Sequence, residues 1–266
     1  LNAWDSTLSV FDLTGSRHLI TNGATEWIGT GSIRTCGTGQ SCVIVNNGTW
    51  NIQTNLEVNL AYGGTSSFVN NGTILKSAGT GTNTISPAFT NTSNVQVNTG
   101  TLSFASYKQT AGVTHLNGGN LTSTTPLAIQ GGTVKGTGTI TGGMTSAGRV
   151  IPGQSPGLLT LAGNYTQQAL GALDVEIGGT TAGTQYDQLN VAATGGAATL
   201  GGALNISLAN GFVPTLGQTF TIVNALSRTG TFATTSYPGI GCGLTWSVSY
   251  TATTAVLTIV SRMEAR

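Results

Sequence analysis

The residues that could do chemistry in this 266-residue chain are few and widely spread. No Asp or Glu lies between Val58 and Leu173. Glycoside cleavage generally uses two carboxyl groups about 5–10 Å apart. Asp174 and Glu176 lie two residues apart and therefore share one strand face, but a solvated strand face looks the same, and we favour that interpretation. The eight carboxylates are Asp5, Asp12, Glu26, Glu57, Asp174, Glu176, Asp187 and Glu264.

Other catalytic and ligand-binding patterns are missing from the sequence. His18 and His115 lie far apart, and no GxSxG element supports a nucleophilic serine. The glycine-rich string Gly131–Gly143 lacks the GxxxxGK[ST] pattern of a phosphate-binding loop, so its glycines are interpreted as turn residues. Asp187 is expected to bond backbone groups at a turn. We therefore predict a protein that is not an enzyme and holds no metal or cofactor.

The cysteines predict one disulfide. Cys36 and Cys42 enclose five residues that include two glycines, which is flexible enough for a bridge. Closing so short a loop would contribute about 2–3 kcal/mol and would fit an oxidising compartment. Cys242 has no neighbouring cysteine in the sequence.

The charge pattern limits the partners of the chain. Only 6% of residues are charged, the formal net charge is +1, and the basic residues are scattered singly. This argues against a nucleic-acid partner. No apolar run is long enough for a transmembrane helix.

A repeat predicts the architecture that must position these residues. Trp4, Trp27 and Trp50 are evenly spaced, and Val45–Trp50 (VNNGTW) returns as Val69–Ile74 (VNNGTI). A period of about 21–24 residues with Asn-Gly turns and β-branched runs is typical of a solenoid that stacks like residues. The three tryptophans are interpreted as one such aromatic stack; the alternative is an exposed sugar-binding surface.

Short alternating segments predict an all-β protein. We expect strands at Ser41–Val45, Asn94–Asn98, Thr101–Phe104, Asp174–Ile177, Leu204–Leu208, Thr219–Val223, Leu244–Tyr250 and Thr254–Val260. Two Thr-x-Thr runs, at residues 80–84 and 137–141, would suit a face that orders water as ice does. They do not follow the predicted coil period, which argues against that role.

Composition shifts near Ile151, where the repeat weakens and the strands lengthen. We expect β-solenoid coils over residues 1–150, a C-terminal module over 151–260 and a tail over 261–266. The module contains, in order, PGQSPG (152–157), GNYTQ (163–167), YDQLNV (186–191), LGGALNISL (200–208), GQTF (217–220) and GTF (230–232).

These elements resemble the C-terminal part of the β-helical passenger domains of bacterial autotransporters and related large surface adhesins. The resemblance implies a right-handed parallel β-helix closed by a capping module that assists folding, as an autochaperone does. It also implies a location outside the cell or on the bacterial surface.

The function expected from these observations is that of a non-enzymatic, secreted surface protein with a structural or adhesive role. One alternative is a subunit of a self-assembling extracellular filament or matrix fibre, in which the chain is its own partner. A second alternative is a carbohydrate-binding or lytic module that recognises host or matrix glycans.

Overall fold

A computed structural model describes residues 10–192, 196–241 and 243–262. The described residues form 31 β-strands and no α-helix, and most strands pair in parallel with strands one coil away. The prediction of an all-β, parallel β-solenoid is confirmed.

The first half of the strands is β1 Val10–Leu13, β2 His18–Thr21, β3 Ala24–Trp27, β4 Ser32–Thr35, β5 Ser41–Asn46, β6 Thr49–Ile52, β7 Glu57–Asn59, β8 Thr65–Asn70, β9 Thr73–Lys76, β10 Thr82–Ile85, β11 Ala88–Asn91, β12 Asn94–Val97, β13 Thr101–Phe104, β14 Tyr107–Gln109, β15 Val113–Asn117 and β16 Asn120–Ser123.

The second half of the strands is β17 Leu127–Ile129, β18 Thr133–Thr141, β19 Met144–Ser146, β20 Arg149–Pro152, β21 Leu158–Ala162, β22 Tyr165–Gln167, β23 Ala172–Ile177, β24 Gln188–Asn190, β25 Ala197–Leu200, β26 Ala203–Leu208, β27 Thr219–Asn224, β28 Ser227–Gly230, β29 Thr234–Ser236, β30 Leu244–Tyr250 and β31 Thr254–Ser261.

The chain divides into two compact units. The first unit comprises Leu1–Thr133 and Gly138–Gly142, and the second comprises Val134–Thr137 and Gly143–Arg266. Strand β18 contributes residues to both. The sequence places the change of style at Ile151, and the two units exchange residues between Thr133 and Gly143. Of the expected tail, residues 263–266 lie outside the described residues.

Three parallel ladders build the first unit. Ladder A contains β1, β4, β7, β10, β13 and β16. Ladder B contains β2, β5, β8, β11, β14 and β17. Ladder C contains β3, β6, β9, β12 and β15. In most of these strands buried and more exposed residues alternate, because successive side chains point to opposite faces of a strand.

The coils of the first unit shorten along the chain. The paired residues Asn46 and Asn70 lie 24 residues apart, whereas the paired residues Asn91 and Gln109 lie 18 residues apart. The expected coil period therefore describes only part of the unit.

The Asn-Gly corners of the first unit bring the backbones of successive coils close together. A Cβ on Gly72 would overlap the carbonyl oxygen of Gly48 on the preceding coil. Only glycine fits there, which explains the repeated Asn-Gly step.

The second unit has longer coils and a different ending. The paired residues Asp174 and Asn205 lie 31 residues apart. Strand β27 pairs with β24 in parallel on one side and with β31 antiparallel on the other. Because β31 also pairs antiparallel with β30, a hairpin covers the edge that β27 would otherwise expose.

Candidate functional site

The aromatic stack predicted from the tryptophan spacing lies in the interior of the first unit. Trp27 and Trp50 are 4% and 2% exposed, and their rings meet edge to face with centroids 6.2 Å apart. Trp50 pairs in register with Thr25 and not with Trp27, because the coil here is slightly longer than the tryptophan interval. Trp4 lies outside the described residues. The alternative of an exposed sugar-binding surface does not fit Trp27 and Trp50, because both rings are buried.

The stack continues beyond the tryptophans through phenylalanine and tyrosine rings of the following coils. Trp50 contacts Phe68 with centroids 5.2 Å apart, and Phe68 contacts Phe89 at 5.4 Å. Phe89 then contacts Phe104 and Tyr107 at 4.6 and 5.2 Å. We call the six rings from Trp27 to Tyr107 the aromatic ladder. It joins successive coils of the unit through dispersion and burial of apolar area, so it stabilises the fold and offers no ring surface to a ligand.

A second interior ladder consists of buried amides. Asn46 donates to the Oδ1 of Asn70 at 2.8 Å, Asn70 donates to the Oδ1 of Asn91 at 2.8 Å, and Asn91 donates to the Oε1 of Gln109 at 3.1 Å. Thr21 begins the series by donating to the Oδ1 of Asn46 at 2.9 Å. All four amides are fully buried, and they occupy matching positions at the ends of the ladder B strands. We call this series the amide ladder.

The amide ladder also satisfies the backbone at the coil corners. The Nδ2 of Asn70 donates to the carbonyl oxygens of Gly72 and Asn94 at 3.1 and 2.9 Å. A buried polar group is tolerated only when it is hydrogen-bonded, and here each amide meets both its neighbours and the corner. The sequence predicted turns at the neighbouring Asn-Gly steps but not this buried ladder.

Cys36 and Cys42, the predicted pair, form a disulfide with Cα atoms 5.6 Å apart. Both residues are fully buried. The bridge closes the loop between β4 and β5 in the first unit. Cys242 lies outside the described residues.

Asp12 and Glu26 of the first unit bind side chains of neighbouring coils, whereas Glu57 accepts a hydrogen bond from Asn59 on its own strand. Asp12 accepts two hydrogen bonds from Arg34 at 2.7 and 2.8 Å, and the guanidinium lies 5.1 Å from the ring centre of Tyr62 on the next coil. The hydrogen bonds from Arg34 lower the pKa of Asp12. Glu26 accepts a hydrogen bond from Asn51 at 2.7 Å across ladder C. Asp5 lies outside the described residues.

Asp174 and Glu176, the one same-face carboxylate pair of the sequence, lie on β23 in the second unit. Asp174 forms an ion pair with Arg149 and accepts a hydrogen bond from Asn205 at 2.7 Å. These partners lie one coil to either side, on β20 and β26. Asp174 is thus occupied by coil-to-coil contacts, as a strand-face residue would be.

Asp187 bonds backbone groups, as the sequence predicts. Its carboxylate accepts hydrogen bonds from the amide of Gly157 at 2.6 Å and from the amide of Glu176 at 3.0 Å. The side chain is fully buried, and burial raises the pKa of Asp187 to about 7. The carboxylate ties the turn after β20 to β23, so its position in the interior points to a structural role.

Lys76 and Asn83 form a buried polar pair that sequence reasoning missed. The Nζ of Lys76 donates to the carbonyl oxygens of Thr54 and Ala78 at 3.0 and 3.2 Å and to the Oδ1 of Asn83 at 2.5 Å. Both side chains are fully buried, and burial lowers the pKa of Lys76. With three acceptors around it, the amine is a hydrogen-bonded cation that stabilises the corner. Lys76 is the last residue of β9, in which buried and more exposed side chains alternate. That alternation is the one sequence signal that would have predicted an inward-facing lysine.

The histidines lie on different ladders, His18 on β2 of ladder B and His115 on β15 of ladder C. Within residues 10–192, 196–241 and 243–262, no group of three or more His, Cys, Asp or Glu side chains could hold a metal ion. The described part of the chain also contains no apolar helix of membrane-spanning length.

A cleft of about 340 Å³ lies beside β30 in the second unit. Its lining includes Tyr237, whose ring stacks on Trp246 with centroids 6.3 Å apart, and Arg262. Trp246 itself is 5% exposed and donates its indole N–H to the carbonyl oxygen of Pro238 at 3.0 Å. The described lining contains no carboxylate, so the cleft offers stacking and a guanidinium but no acid–base pair.

Comparison with known proteins assigns no family to this arrangement. No protein-family model matches the chain, and no curated protein matches it significantly.

Proposed function

We propose that the chain is a non-enzymatic, extracellular β-solenoid of a bacterial surface, with a structural or adhesive role. The observation that supports this most directly is that four carboxylates are engaged in hydrogen bonds and ion pairs within the fold. Asp12, Glu26 and Asp174 each bind a side chain on a neighbouring coil, and Asp187 binds backbone amides in the interior. These four carboxylates are therefore employed in holding the fold together.

Three further observations support the proposal. The disulfide between Cys36 and Cys42 suits an oxidising compartment. The aromatic and amide ladders distribute stability along the coils instead of organising one site. The resemblance of residues 152–232 to autotransporter passenger domains agrees with display on a bacterial surface.

Display of the chain on a laboratory bacterium tests the proposal. We expect cells that carry it to be retained on abiotic or glycan-coated surfaces under flow more than cells that carry the display scaffold alone. A panel of plant, bacterial and host polysaccharides incubated with the purified protein should show no release of reducing ends or unsaturated uronates. Polysaccharide cleavage, or unchanged retention on every surface, would contradict the proposal.

A further inference from the structure

One face of the first unit carries two parallel columns of small hydroxyl and amide side chains. The pairing of β10 with β13 aligns Thr82 with Thr101 and Thr84 with Ser103, and the pairing of β13 with β16 adds Asn120 and Thr122. Strand β18 extends the second column with Thr141, paired with Thr122. The backbone amide of Thr139 donates to the side chain of Asn120 at 2.9 Å, which extends the first column. We call these eight residues the threonine face.

The sequence argued against an ice-like face because the two Thr-x-Thr runs do not follow the predicted coil period. The observed strand register removes that objection. The runs at 80–84 and 137–141 do not align if every coil has the length that the Asn-Gly repeat predicts. The coils that connect them are shorter, since Thr82 pairs with Thr101 and Thr101 with Asn120. Asn120 in turn lies 19 residues before Thr139, its hydrogen-bond partner. Thr82 and Thr139 therefore belong to one column, and Thr84 and Thr141 to the other.

The spacing of the face is set by the backbone. Neighbouring strands of a sheet lie about 4.8 Å apart, and alternate residues of one strand lie about 6.6–6.8 Å apart. Behind the face, Leu102, Phe104 and Leu121 are buried and fix the strands from the interior. Because threonine is branched at Cβ, its χ1 angle is restricted and its methyl and hydroxyl groups hold a regular position.

The face is uncharged, and its hydroxyls are not used by the fold. Among the described residues no hydrogen bond engages the side-chain hydroxyls of the threonine face. At a nearby corner of the same unit, by contrast, the polar side chains hydrogen-bond one another. Asn71 donates to the Oδ1 of Asn47 at 3.0 Å, and Thr92 donates to the Oδ1 of Asn71 at 2.9 Å. Glu57, which pairs with Thr84, marks the border where charge begins.

We propose that the threonine face binds ice. An ice surface is an uncharged lattice whose oxygen atoms repeat in two directions with spacings close to those of the two columns. A neutral, rigid and periodic array of hydroxyl and methyl groups matches such a lattice, whereas it offers no charge to an ionic ligand and no aromatic ring to a single sugar. This inference does not rest on the proposed surface role, since it concerns one face of the folded chain.

Ice-affinity partitioning of the purified, fluorescently labelled chain tests the inference, together with thermal hysteresis and the shape of single ice crystals. We expect the wild-type chain to enter a slowly growing ice hemisphere and to shape ice crystals. The double variant Thr101→Tyr/Thr122→Tyr should reduce incorporation roughly tenfold or more. Ser103→Lys, which adds a charge at an outward-facing position, should do the same.

Thr90→Tyr is the matched control, because Thr90 lies on the outer face of ladder B between Val69 and Lys108. Its incorporation should stay within about twofold of wild type, and circular dichroism should show every variant folded. Wild-type protein that is folded but excluded from ice would overturn the inference, as would equal loss in Thr90→Tyr. Binding to crystalline cellulose or chitin that the face variants abolish, without entry into ice, would also overturn it and assign the face to a polysaccharide.

Discussion

Two continuous ladders of like side chains run through successive coils of the first unit, whereas the second unit has isolated like pairs such as Asn190 and Asn224 and single anchors such as Asp187. The paired residues Asn91 and Gln109 of the first unit lie 18 residues apart, and the paired residues Asn190 and Asn224 of the second lie 34 residues apart. Short coils return like residues to the same place, which permits the aromatic and amide ladders. Longer coils contain loops, and each loop needs its own anchor, as Asp187 provides.

The largest expected effect comes from removing a ring of the aromatic ladder. Trp50→Ala should lower the free energy of unfolding of the first unit by about 3–5 kcal/mol, because it leaves a cavity between Trp27 and Phe68. Hydrogen-exchange mass spectrometry of the intact chain should show the lost protection in the first unit and little change in the second.

A comparison of Trp50 with Trp246 separates the packing of the ring from the hydrogen bond of its indole N–H. The indole N–H of Trp50 has no acceptor among the described residues, whereas that of Trp246 donates to Pro238. Trp50→Phe should therefore cost clearly less than Trp50→Ala, while Trp246→Phe leaves the Pro238 carbonyl without its donor. Equal costs for Trp50→Phe and Trp50→Ala would show that packing within the ladder does not hold these coils.

The amide ladder should give the next largest effect. Asn70→Ala removes hydrogen bonds to Asn91, Gly72 and Asn94 and leaves buried groups unsatisfied, which should cost about 2–4 kcal/mol. Urea unfolding followed by circular dichroism measures this change. Asn71→Ala is the control, because Asn71 is the exposed neighbour and its loss should cost less than about 0.5 kcal/mol. Similar costs for both variants would count against the ladder.

Removing the disulfide should have an intermediate effect confined to the first unit. Cys36→Ser with Cys42→Ser releases the loop entropy of the unfolded chain and should cost about 2–3 kcal/mol. Thermal unfolding with and without a reducing agent checks this, since reduction should destabilise the wild type and leave the double variant unchanged. A reductant effect that persists in the variant would place the sensitivity elsewhere.

The effect of a single pH unit, confined to the second unit, is the smallest that we expect. The folded-state pKa of Asp187, about 7, exceeds its ordinary value of 3.8, so the native state binds more protons than the unfolded state between these two pH values. The free energy of unfolding should therefore fall as pH rises from about 4 to 7, by at most ~1.4 kcal/mol per pH unit. Hydrogen exchange at pH 5 and pH 7, corrected for the intrinsic exchange rate, measures this slope, and Asp187→Asn should abolish it. The same slope in Asp187→Asn would assign the titration to another group.

The sequence predicted the fold through its repeat and its alternation. Thr101–Phe104 and Leu244–Tyr250 match observed strands in full, and the other expected strands overlap observed ones with small shifts at their ends. The Asn-Gly corners set the expected coil period because they are conspicuous. The later coils of the first unit have no Asn-Gly step at that corner, and they are shorter. The columns of the threonine face could therefore not be predicted without the strand register.

The interior polar residues were the least predictable part. Asn70 and Asn91 look like turn residues in the sequence, yet they are buried because each satisfies the next across the coils. Lys76 looks like a surface cation, and only the inward position at the end of β9 buries it. Such placements depend on which coil lies next to which, and that is a property of three-dimensional register.

The central claim is that repeated surfaces, not a single reactive residue, carry the function. The most direct test is the retention under flow of cells that display single variants with one ionisable group removed. The set is Asp12→Asn, Glu26→Gln, Glu57→Gln, Asp174→Asn, Glu176→Gln, His18→Gln and His115→Gln. We predict that each variant keeps the retention of the wild-type chain when display levels are matched, while cells with the scaffold alone lose it. Loss of retention in any one folded variant would contradict the account and identify a single-residue site.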